Sequence, residues 1–337
     1  MMNAVLIDSF EKTLNPICTL KPLFAVANGI FSDIERIMAE NPSQIEVRTS
    51  NDENIRNLNF YKDFFTSMNI STKISYVPSE SFSPITPDML LKNFPVNLLA
   101  DLKYLKREKF SYSKPLYFEG NKTDVWIHNE ASVSPMAAIN TTNGPVIIDQ
   151  NVKVSPFSIL NGPLYIGPES ILERVSISNS RSGKQCRLGG EISDTLIGNY
   201  TNKHHEGFLG HSIVGDWVNL GALTTTSDLK NNYGEIRLEY SNEGFSTNRI
   251  KFGSIIGDYV KTGIGSMLNT GTILDVGTLL YQDFPVQKYY PRFFWGGGKP
   301  AQYKIDRFLS DMEKIMARRK CIPDIHLKNQ IQYIYNR

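Results

Sequence analysis

Cysteine, charge of one sign and long apolar runs are all scarce in this sequence, and each shortage excludes a class of protein. The 337 residues include three cysteines, at 18, 186 and 321, with no close Cys-x-x-Cys spacing. This indicates reduced thiols in place of a disulfide framework or a zinc cluster. A net charge of +2 gives no electrostatic reason to expect a nucleic-acid partner. No apolar run approaches the roughly 20 residues that span a membrane, and the N-terminus lacks a signal-peptide pattern. We therefore expect a cytoplasmic protein with neither a nucleic-acid nor a membrane partner.

Glycine is scarce in the N-terminal third, where Gly29 and Gly120 are the only two in the first 120 residues. A Rossmann or P-loop turn needs several glycines for the backbone to approach a phosphate closely. The region nonetheless has the pattern of an α/β domain, which we place at residues 1–115. Its predicted strands lie at 4–8, 45–49 and 73–78, and its predicted helix at 29–40.

The middle of the chain has a repeat of six residues. Aliphatic residues stand at 148, 154, 160, 166 and 172, and each is followed by glycine, serine, asparagine or an acid. The register returns at Val214 and Ile256, and a weaker copy begins at Ile127. A period of six fits neither an amphipathic helix nor simple strand alternation. It fits a parallel β-helix whose coils stack at about 4.8 Å, which we place at residues 116–290.

Two segments depart from the repeat. Residues 176–190 break the register and are basic, and residues 228–253 form a longer insert. The insert carries EIRLEY and NRIKF around SNEGFST, which predicts a hairpin that leaves the coil. Insertions in solenoids cluster on one face, and that face is often the binding face.

The last segment, residues 291–337, is predicted to cap the solenoid. A helix at 302–320 has an apolar stripe suited to packing across the end of the coils. Its basic end, residues 318–320, has a second interpretation, a contact with a phosphorylated ligand.

Three of the five histidines, His204, His205 and His211, lie close together in the sequence. No carboxylate pair or cysteine completes a metal set beside them, so we predict no metal site there. Two interpretations of His205 stay open: a general base near neutral pH, or a side chain that only hydrogen-bonds along the coil edge.

A resemblance to a known family covers roughly residues 125–320. It rests on GGEI…NYTNKHHEGFLGHSIVGDWVNLGALTTTSDLKNNYG, IIGDYVKTGIGSMLNTGTI and FFWGG…MARR. These segments resemble a family of sugar nucleotidyltransferases that is related to the bifunctional N-acetylglucosamine-1-phosphate uridylyltransferase/glucosamine-1-phosphate N-acetyltransferase. The N-terminal segment resembles the family opening more weakly, with Leu20, Lys21 and Pro22 where Thr-Arg-Pro is usual.

The resemblance implies a left-handed β-helix, usually trimeric, with acetyl-CoA and an amino sugar meeting in clefts between subunits. It implies that His205 is the general base, that Asn219 binds the acceptor, and that the N–H of Ala222 polarises the thioester carbonyl. Ile264 and Arg292 are further expected cofactor contacts.

Several positions depart from the bifunctional enzyme. Phe208 replaces a residue with an aromatic hydroxyl, and Asp228 with Leu229 replaces an Asn-Tyr pair. The neutral Ser193 replaces the basic residue that holds the sugar phosphate. Arg181, Arg187 or Lys203 could take the place of that basic residue. The expected substrate-binding residues are therefore Arg181, Arg187, Lys203 and Asp228.

The predicted function is acetyl-CoA-dependent transfer to an amino sugar or its phosphate, in nucleotide-sugar synthesis for the cell envelope. One alternative is a sugar-1-phosphate nucleotidyltransferase, with Mg²⁺ if the N-terminal domain is active. Another is a non-catalytic paralogue that binds a nucleotide sugar or a partner enzyme. In each case we expect a homotrimer and a small-molecule sugar phosphate as ligand.

Overall fold

The N-terminal region is an α/β unit, as predicted. The computed structural model describes residues 3–8, 14–49, 55–76, 85–281, 287–296 and 301–337. Three parallel strands pair in the order β1-β2-β3, and the last two residues of the third predicted strand lie outside the described residues. The elements are β1 (Asn3–Asp8), α1 (Asn15–Cys18), α2 (Asp33–Ala39), β2 (Gln44–Thr49), α3 (Ile55–Ser67), β3 (Ser71–Tyr76) and α4 (Pro87–Asp101), with 3-10 turns at 23–25, 102–104 and 107–109.

Helix α2 begins later than predicted because Ser32 caps it. The backbone N–H and the hydroxyl of Ser32 both donate to Glu35 Oε2, at 2.7 Å each, in a capping box. The preceding N–H groups of Ile30 and Phe31 donate to the buried carboxylate of Asp101 at 2.9 and 3.1 Å. They are therefore held in a turn and take no part in the helix.

The predicted parallel β-helix is confirmed as a solenoid of short parallel strands with three faces. The first face holds β5 (Val125–Ile127), β8 (Val146–Ile148), β13 (Leu196–Ile197), β16 (Ile213–Val214), β20 (Ser254–Ile256), β23 (Thr272–Leu274) and β25 (Tyr289–Tyr290). The second holds β6 (Ser132–Val133), β9 (Lys153–Val154), β14 (Asn202–Lys203), β21 (Lys261–Thr262), β24 (Leu279–Leu280) and β26 (Phe294–Gly296), with β27 (Ala301–Gln302) antiparallel at its end. The third holds β4 (Tyr117–Glu119), β7 (Ala138–Asn140), β15 (Phe208–Gly210), β17 (Thr225–Thr226) and β22 (Met267–Leu268). Three longer strands bend from one face to another: β10 (Ile159–Ile166), β11 (Ile171–Ser182) and β12 (Arg187–Ser193).

The six-residue period marks the side chains that fill the solenoid. Ile148, Val154, Leu160, Ile166 and Leu172 are each at most 4% exposed, and burial of one such side chain contributes roughly 1.5–3 kcal/mol. A small residue follows because the corner is tight. At Gly198, for example, a Cβ atom would lie 2.4 Å from a carboxylate oxygen of the next coil.

The two departures from the repeat behave differently. Residues 176–190 stay in the solenoid: β11 and β12 remain paired, with a register shift between Glu173 and Val175. The insert does leave it, as a hairpin of β18 (Arg237–Tyr240) and β19 (Glu243–Ser246). The predicted second strand, residues 248–252, was wrong: the pairing of Tyr240 with Glu243 closes a two-residue turn, so the chain turns back earlier.

The first face is covered by the N-terminal region and by the insert. Most of its outward side chains are apolar and lie in one buried cluster with residues of α1, α4 and the hairpin. Because these strands are buried on both sides, they read as short continuous apolar runs, such as residues 146–148. Among the described residues, the third face has no such covering and carries exposed residues such as Ile159 and Met267.

The C-terminal segment forms helices α5 (Ile305–Ala317) and α6 (Ile325–Tyr335). Phe308 and Met316 of α5 pack against Tyr259, and Cys321 beyond it contacts Tyr200 at 3.6 Å. Helix α5 therefore lies along a corner of successive coils, whereas we expected it across the end of the solenoid. No helix in the described part of the chain combines the length and apolarity needed to cross a membrane.

Candidate functional site

His205 lies at the corner between the second and third faces, between β14 and β15. Its side chain is exposed and packs edge-on against the ring of His204, with ring centroids 4.9 Å apart. No residue that the structure describes hydrogen-bonds to its ring nitrogens. The imidazole is therefore open to solvent at a corner of the solenoid.

Lys203 fixes this corner from the inside. It stands in the inner column directly after Leu188, is 1% exposed, and donates to the carbonyl oxygens of Gly189 at 3.0 Å and His205 at 2.6 Å. Burial lowers the pKa of its ammonium group to about 8. Lys203 thus faces the solenoid interior, whereas the predicted phosphate contact needs an ammonium directed outward.

Three of the predicted positions meet at the His205 corner in successive coils. The N–H of Leu223 donates to Glu206 at 2.9 Å, and the N–H of Gly265 donates to Ala222 at 2.8 Å. This hydrogen bonding stacks the turn of His205, the turn of Ala222 and the turn of Ile264, whose side chain is 80% exposed. Among the described residues the N–H of Ala222 has no backbone acceptor, so it is available to a ligand.

Asn219 lies just before this corner on the second face. Its Oδ1 accepts a hydrogen bond from Asn202 Nδ2 at 2.6 Å, which joins two coils through an amide ladder. The side chain is exposed, and its amino group has no partner within the part of the chain that the structure describes. Asn219 is therefore both a ladder residue and a free donor.

A basic groove of about 880 Å³ runs along the second face beneath α5. Asn202, His204 and Asn219 line it beside the His205 corner. Its aromatic lining includes Trp217, stacked on Tyr200 at 4.0 Å. Six cationic side chains and one carboxylate also line it: Arg187, Lys261, Arg307, Lys314, Arg318, Arg319 and Asp311.

Burial and mutual repulsion both affect the pKa values of cations in the basic groove. Burial lowers the pKa of Lys261. Burial also lowers the pKa of Arg187, and the positive charge of Arg319 adds to the effect. An anion in this groove would relieve the repulsion, so the groove has the electrostatics of a phosphate site.

Two predicted site residues lie elsewhere. Arg181 is on the first face, in a cavity beneath the N-terminal region. Arg292 Nε lies 3.4 Å from Asp275 Oδ2, and Arg292 Nη2 donates to the hydroxyl oxygen of Tyr240 at 3.3 Å. Neither of these partners lines the basic groove.

The fourth predicted substrate residue, Asp228, is paired with His211, a relationship that the sequence did not suggest. His211 Nδ1 lies 2.7 Å from Asp228 Oδ2, and Nε2 lies 3.7 Å from Asp194 Oδ2. His205 and His211 flank opposite ends of β15, and the ring of Phe208 covers Gly210 between them. The edge of the third face opposite His205 therefore has a second imidazole, that of His211, which is oriented by the carboxylate of Asp228.

No group of three or more metal-ligating side chains is assembled within the described ranges. Asp8 of the N-terminal region is fully buried and accepts hydrogen bonds from the N–H of Leu23 at 2.9 Å and the hydroxyl of Thr49 at 3.1 Å.

Comparison with known proteins finds partial similarity to bifunctional transferases. A protein named Bifunctional protein GlmU from Methanococcus vannielii is 30% identical over 136 residues, which is 38% of this chain and 30% of the relative. The Bifunctional sugar-1-phosphate nucleotidylyltransferase/acetyltransferase of Sulfurisphaera tokodaii is 26% identical over 159 residues, 45% of this chain and 39% of the relative. The chain is similar to bifunctional GlmU-type transferases.

A third such protein, Bifunctional protein GlmU from Trichormus variabilis, is 30% identical over 148 residues, 43% of this chain and 28% of the relative. The matches therefore span between 28% and 39% of the length of these GlmU-type relatives. No family model matches the sequence.

Proposed function

We propose that this protein is an acyltransferase that uses acetyl-CoA to acetylate an amino sugar or amino sugar phosphate. The observation that carries the proposal is the junction of the basic groove with the corner where His205 and Ala222 lie. A thioester donor needs a phosphate-binding surface that leads to a base and a carbonyl-polarising donor, and these features adjoin here.

The groove supports acetyl-CoA as the donor because coenzyme A carries three phosphates and an adenine ring. Arg318 and Arg319 of the C-terminal segment and Lys261 of the second face supply cations from both walls. Trp217 and Tyr200 supply flat aromatic surface. The thiol arm would then lie along the coils toward Ala222 and Ile264.

In the proposed reaction, His205 takes a proton from the amino group of the acceptor as its nitrogen attacks the thioester carbonyl carbon. The N–H of Ala222 stabilises the oxyanion of the tetrahedral intermediate, and the amino group of Asn219 holds the acceptor. The carbon–sulfur bond then breaks, and the imidazolium returns the proton to the departing thiolate. No covalent enzyme intermediate is needed because binding positions both substrates together.

A homotrimer is part of the proposal. No described segment of the chain covers the third face, and His205 is exposed at its edge. A neighbouring subunit beside that edge would enclose the acceptor, exclude water and strengthen each electrostatic contact. Arg187 remains the proposed phosphate contact if the acceptor is phosphorylated, because it lines the basic groove.

Nucleotidyl transfer draws less support from the N-terminal region. The Asp8 carboxylate is buried under hydrogen bonds from Leu23 and Thr49. Lys21, at the family's arginine position, is paired with Asp216 and Asp258 of the solenoid. Both residues have structural partners, so we include neither nucleotidyl transfer nor Mg²⁺ in the proposal.

The test is release of free thiol from acetyl-CoA over a panel of amino sugars and their 1-phosphates. We expect turnover with at least one acceptor, and a loss of about 100-fold or more in kcat/KM for His205→Ala, since general-base catalysis contributes roughly 10²–10⁴-fold. His326→Ala is the matched control, because His326 packs on Phe60 away from the corner, and it should keep wild-type activity. Stabilisation by ligands without turnover would instead support a non-catalytic binding protein.

A further inference from the structure

A second cavity lies on the first face, between the solenoid and the N-terminal region, and the proposed acyl transfer does not use it. Its volume is about 700 Å³, within the usual range for a small-molecule site. Side chains of α2 and α3 form one wall, and coil residues including Arg181 form the other. We refer to this cavity as the interdomain cleft.

Arg181 is out of place in its column of side chains. Strand pairing puts it at one outward position of the first face, in register with Tyr165 in the preceding coil and Leu196 in the next. The same column continues through Ile213 and Ile255, and all four neighbours are buried apolar or aromatic residues. Arg181 is itself 7% exposed, so a charge occupies a position that the fold otherwise fills with hydrocarbon.

No described carboxylate lies within ion-pair distance of the Arg181 guanidinium, although Asp149, which accepts a hydrogen bond from the Tyr165 hydroxyl at 2.8 Å, also lines the cleft. Its Nη1 donates to the carbonyl oxygen of Ile197 at 3.2 Å, and its Nε is buried without a hydrogen-bond partner. The carbon Cζ lies 5.9 Å from the centre of the Tyr165 ring. Burial of a cation without an ion-pair partner opposes folding, and an anionic ligand would offset that cost.

Two other cations near the cleft are paired with carboxylates, whereas Lys184, which also lines the cleft, is exposed and lies 5.3 Å from the centre of the Tyr200 ring. Arg36 forms a two-point contact with Asp101 at 2.6 and 2.8 Å, and Lys21 lies 2.6 Å from Asp216 and 3.0 Å from Asp258. Arg181 is therefore the buried cation of the cleft that has no carboxylate partner among the described residues.

The opposite wall of the cleft is apolar and partly uncovered. Phe60, Phe64 and Met68 of the α3 region are 41%, 40% and 48% exposed, respectively, and all three line the cleft. A flat apolar group could pack against them while an acidic group reaches Arg181.

We propose that the interdomain cleft binds a small organic anion, with its phosphate or carboxylate on Arg181 and a flat aromatic body against Phe60 and Phe64. This site is independent of acyl transfer, because Arg181 lies on the first face and His205 at the corner of the other two. A ligand here touches both the N-terminal region and the solenoid, so it would also stabilise their contact.

The test is calorimetric titration with uridine monophosphate as the aromatic phosphate, and with uridine and inorganic phosphate as its two halves. We expect the intact probe to bind at least tenfold more tightly than either half, and Arg181→Gln to weaken it at least tenfold. Arg107→Gln is the matched control, because Arg107 is exposed and stacks on Trp126 away from the cleft. Undetectable binding to the wild type, equal binding by inorganic phosphate, or unchanged binding by Arg181→Gln would each overturn the proposal.

Thermal unfolding is a second measurement, and its expected result differs between a ligand-binding role and a purely structural role for Arg181. Glutamine removes the unpaired buried charge, so ligand-free Arg181→Gln should unfold at or above the wild-type temperature. Uridine monophosphate should raise the unfolding temperature of the wild type and leave that of Arg181→Gln unchanged. A less stable variant that binds the probe as the wild type does would assign Arg181 a structural role and refute the anion site.

Discussion

The ammonium of Lys203 donates a hydrogen bond to the carbonyl oxygen of His205 from inside the solenoid, at 2.6 Å. The same group also donates to Gly189 at 3.0 Å. A lysine therefore occupies an inner position that Leu188 fills in the preceding coil. The candidate base thus stands on a turn held by a buried charge.

The first prediction concerns the pH dependence of stability at Lys203. Burial lowers its pKa to about 8 from the ordinary 10.5, so the unfolded chain binds more protons than the folded one between these values. Stability should therefore rise with pH through this window, by up to about 1.4 kcal/mol per pH unit from this group. Below about pH 8 the folded lysine is charged and its burial opposes folding.

Lys203→Met is the variant that isolates this effect. Urea unfolding at pH 7 to 10.5 should show the rise in the wild type and a smaller rise in Lys203→Met. Since Lys261 and Lys288 also have lowered pKa values, the difference between the two proteins is the quantity to measure. Parallel curves for the two proteins would contradict a depressed pKa at Lys203.

The second prediction concerns the contact between the N-terminal region and the solenoid. Lys21 lies 2.6 Å from Asp216 and 3.0 Å from Asp258, and Lys21→Met leaves two carboxylates together. Removal of one partner of a buried ion pair costs about 3–5 kcal/mol. We expect a destabilisation near the lower end of that range, measured by urea unfolding at pH 7.5, because Asp216 is partly exposed.

The pH dependence of this variant follows from Asp258. Burial raises its pKa to about 6, and Lys21 opposes that rise, so the variant should hold the carboxyl protonated to a still higher pH. The folded state then binds more protons than the unfolded state, and stability falls as pH rises from about 4 through about 6 and beyond. The loss caused by Lys21→Met should therefore be smaller at pH 5 than at pH 7.5, and Asp258→Asn should partly restore the variant at pH 7.5. An equal loss at both pH values would argue against this ion pair.

The inner column of the solenoid was predictable from the sequence because its positions accept few residue types. Ile148 and Leu172 each face a dry interior, and each following coil needs an aliphatic residue at the same spacing. The outer column of the first face is also largely apolar, as at Ile147 and Ile213. It was not predicted, since its covering partners in α1 and α4 lie far away in the sequence.

The site was predictable only where it follows the coil register. The family resemblance implied one site for His205 and Ala222, and the structure stacks their turns in adjacent coils. The pairing of His211 with Asp228 depends on where the long insert leaves the solenoid. Similarly, the separation of Arg181 from His205 depends on which face of the solenoid each residue occupies, and the local sequence pattern carries no information on that.

The third prediction tests the role of the basic groove in holding acetyl-CoA. Arg318 and Arg319 line the groove from the end of α5, and a hydrogen bond to a charged group contributes roughly 1.5–3 kcal/mol. Arg318→Gln should therefore weaken coenzyme A binding by about 10-fold or more in calorimetric titration. The wild type should also bind less tightly as salt rises, because phosphate contacts are screened.

Dephospho-coenzyme A, which lacks the 3′-phosphate, shows which phosphate Arg318 meets. If Arg318 holds the 3′-phosphate, the wild type should bind dephospho-coenzyme A about as weakly as Arg318→Gln binds coenzyme A, and the substitution should then add no further loss. If it holds the diphosphate, both ligands should lose affinity equally. Lys122→Gln removes one positive charge at an exposed position outside the groove and should leave both affinities unchanged. Tight binding of coenzyme A that does not change with Arg318→Gln, Arg319→Gln or salt would exclude the basic groove as the donor site. The affinity of a phosphate bound in the groove must depend on the surrounding charges.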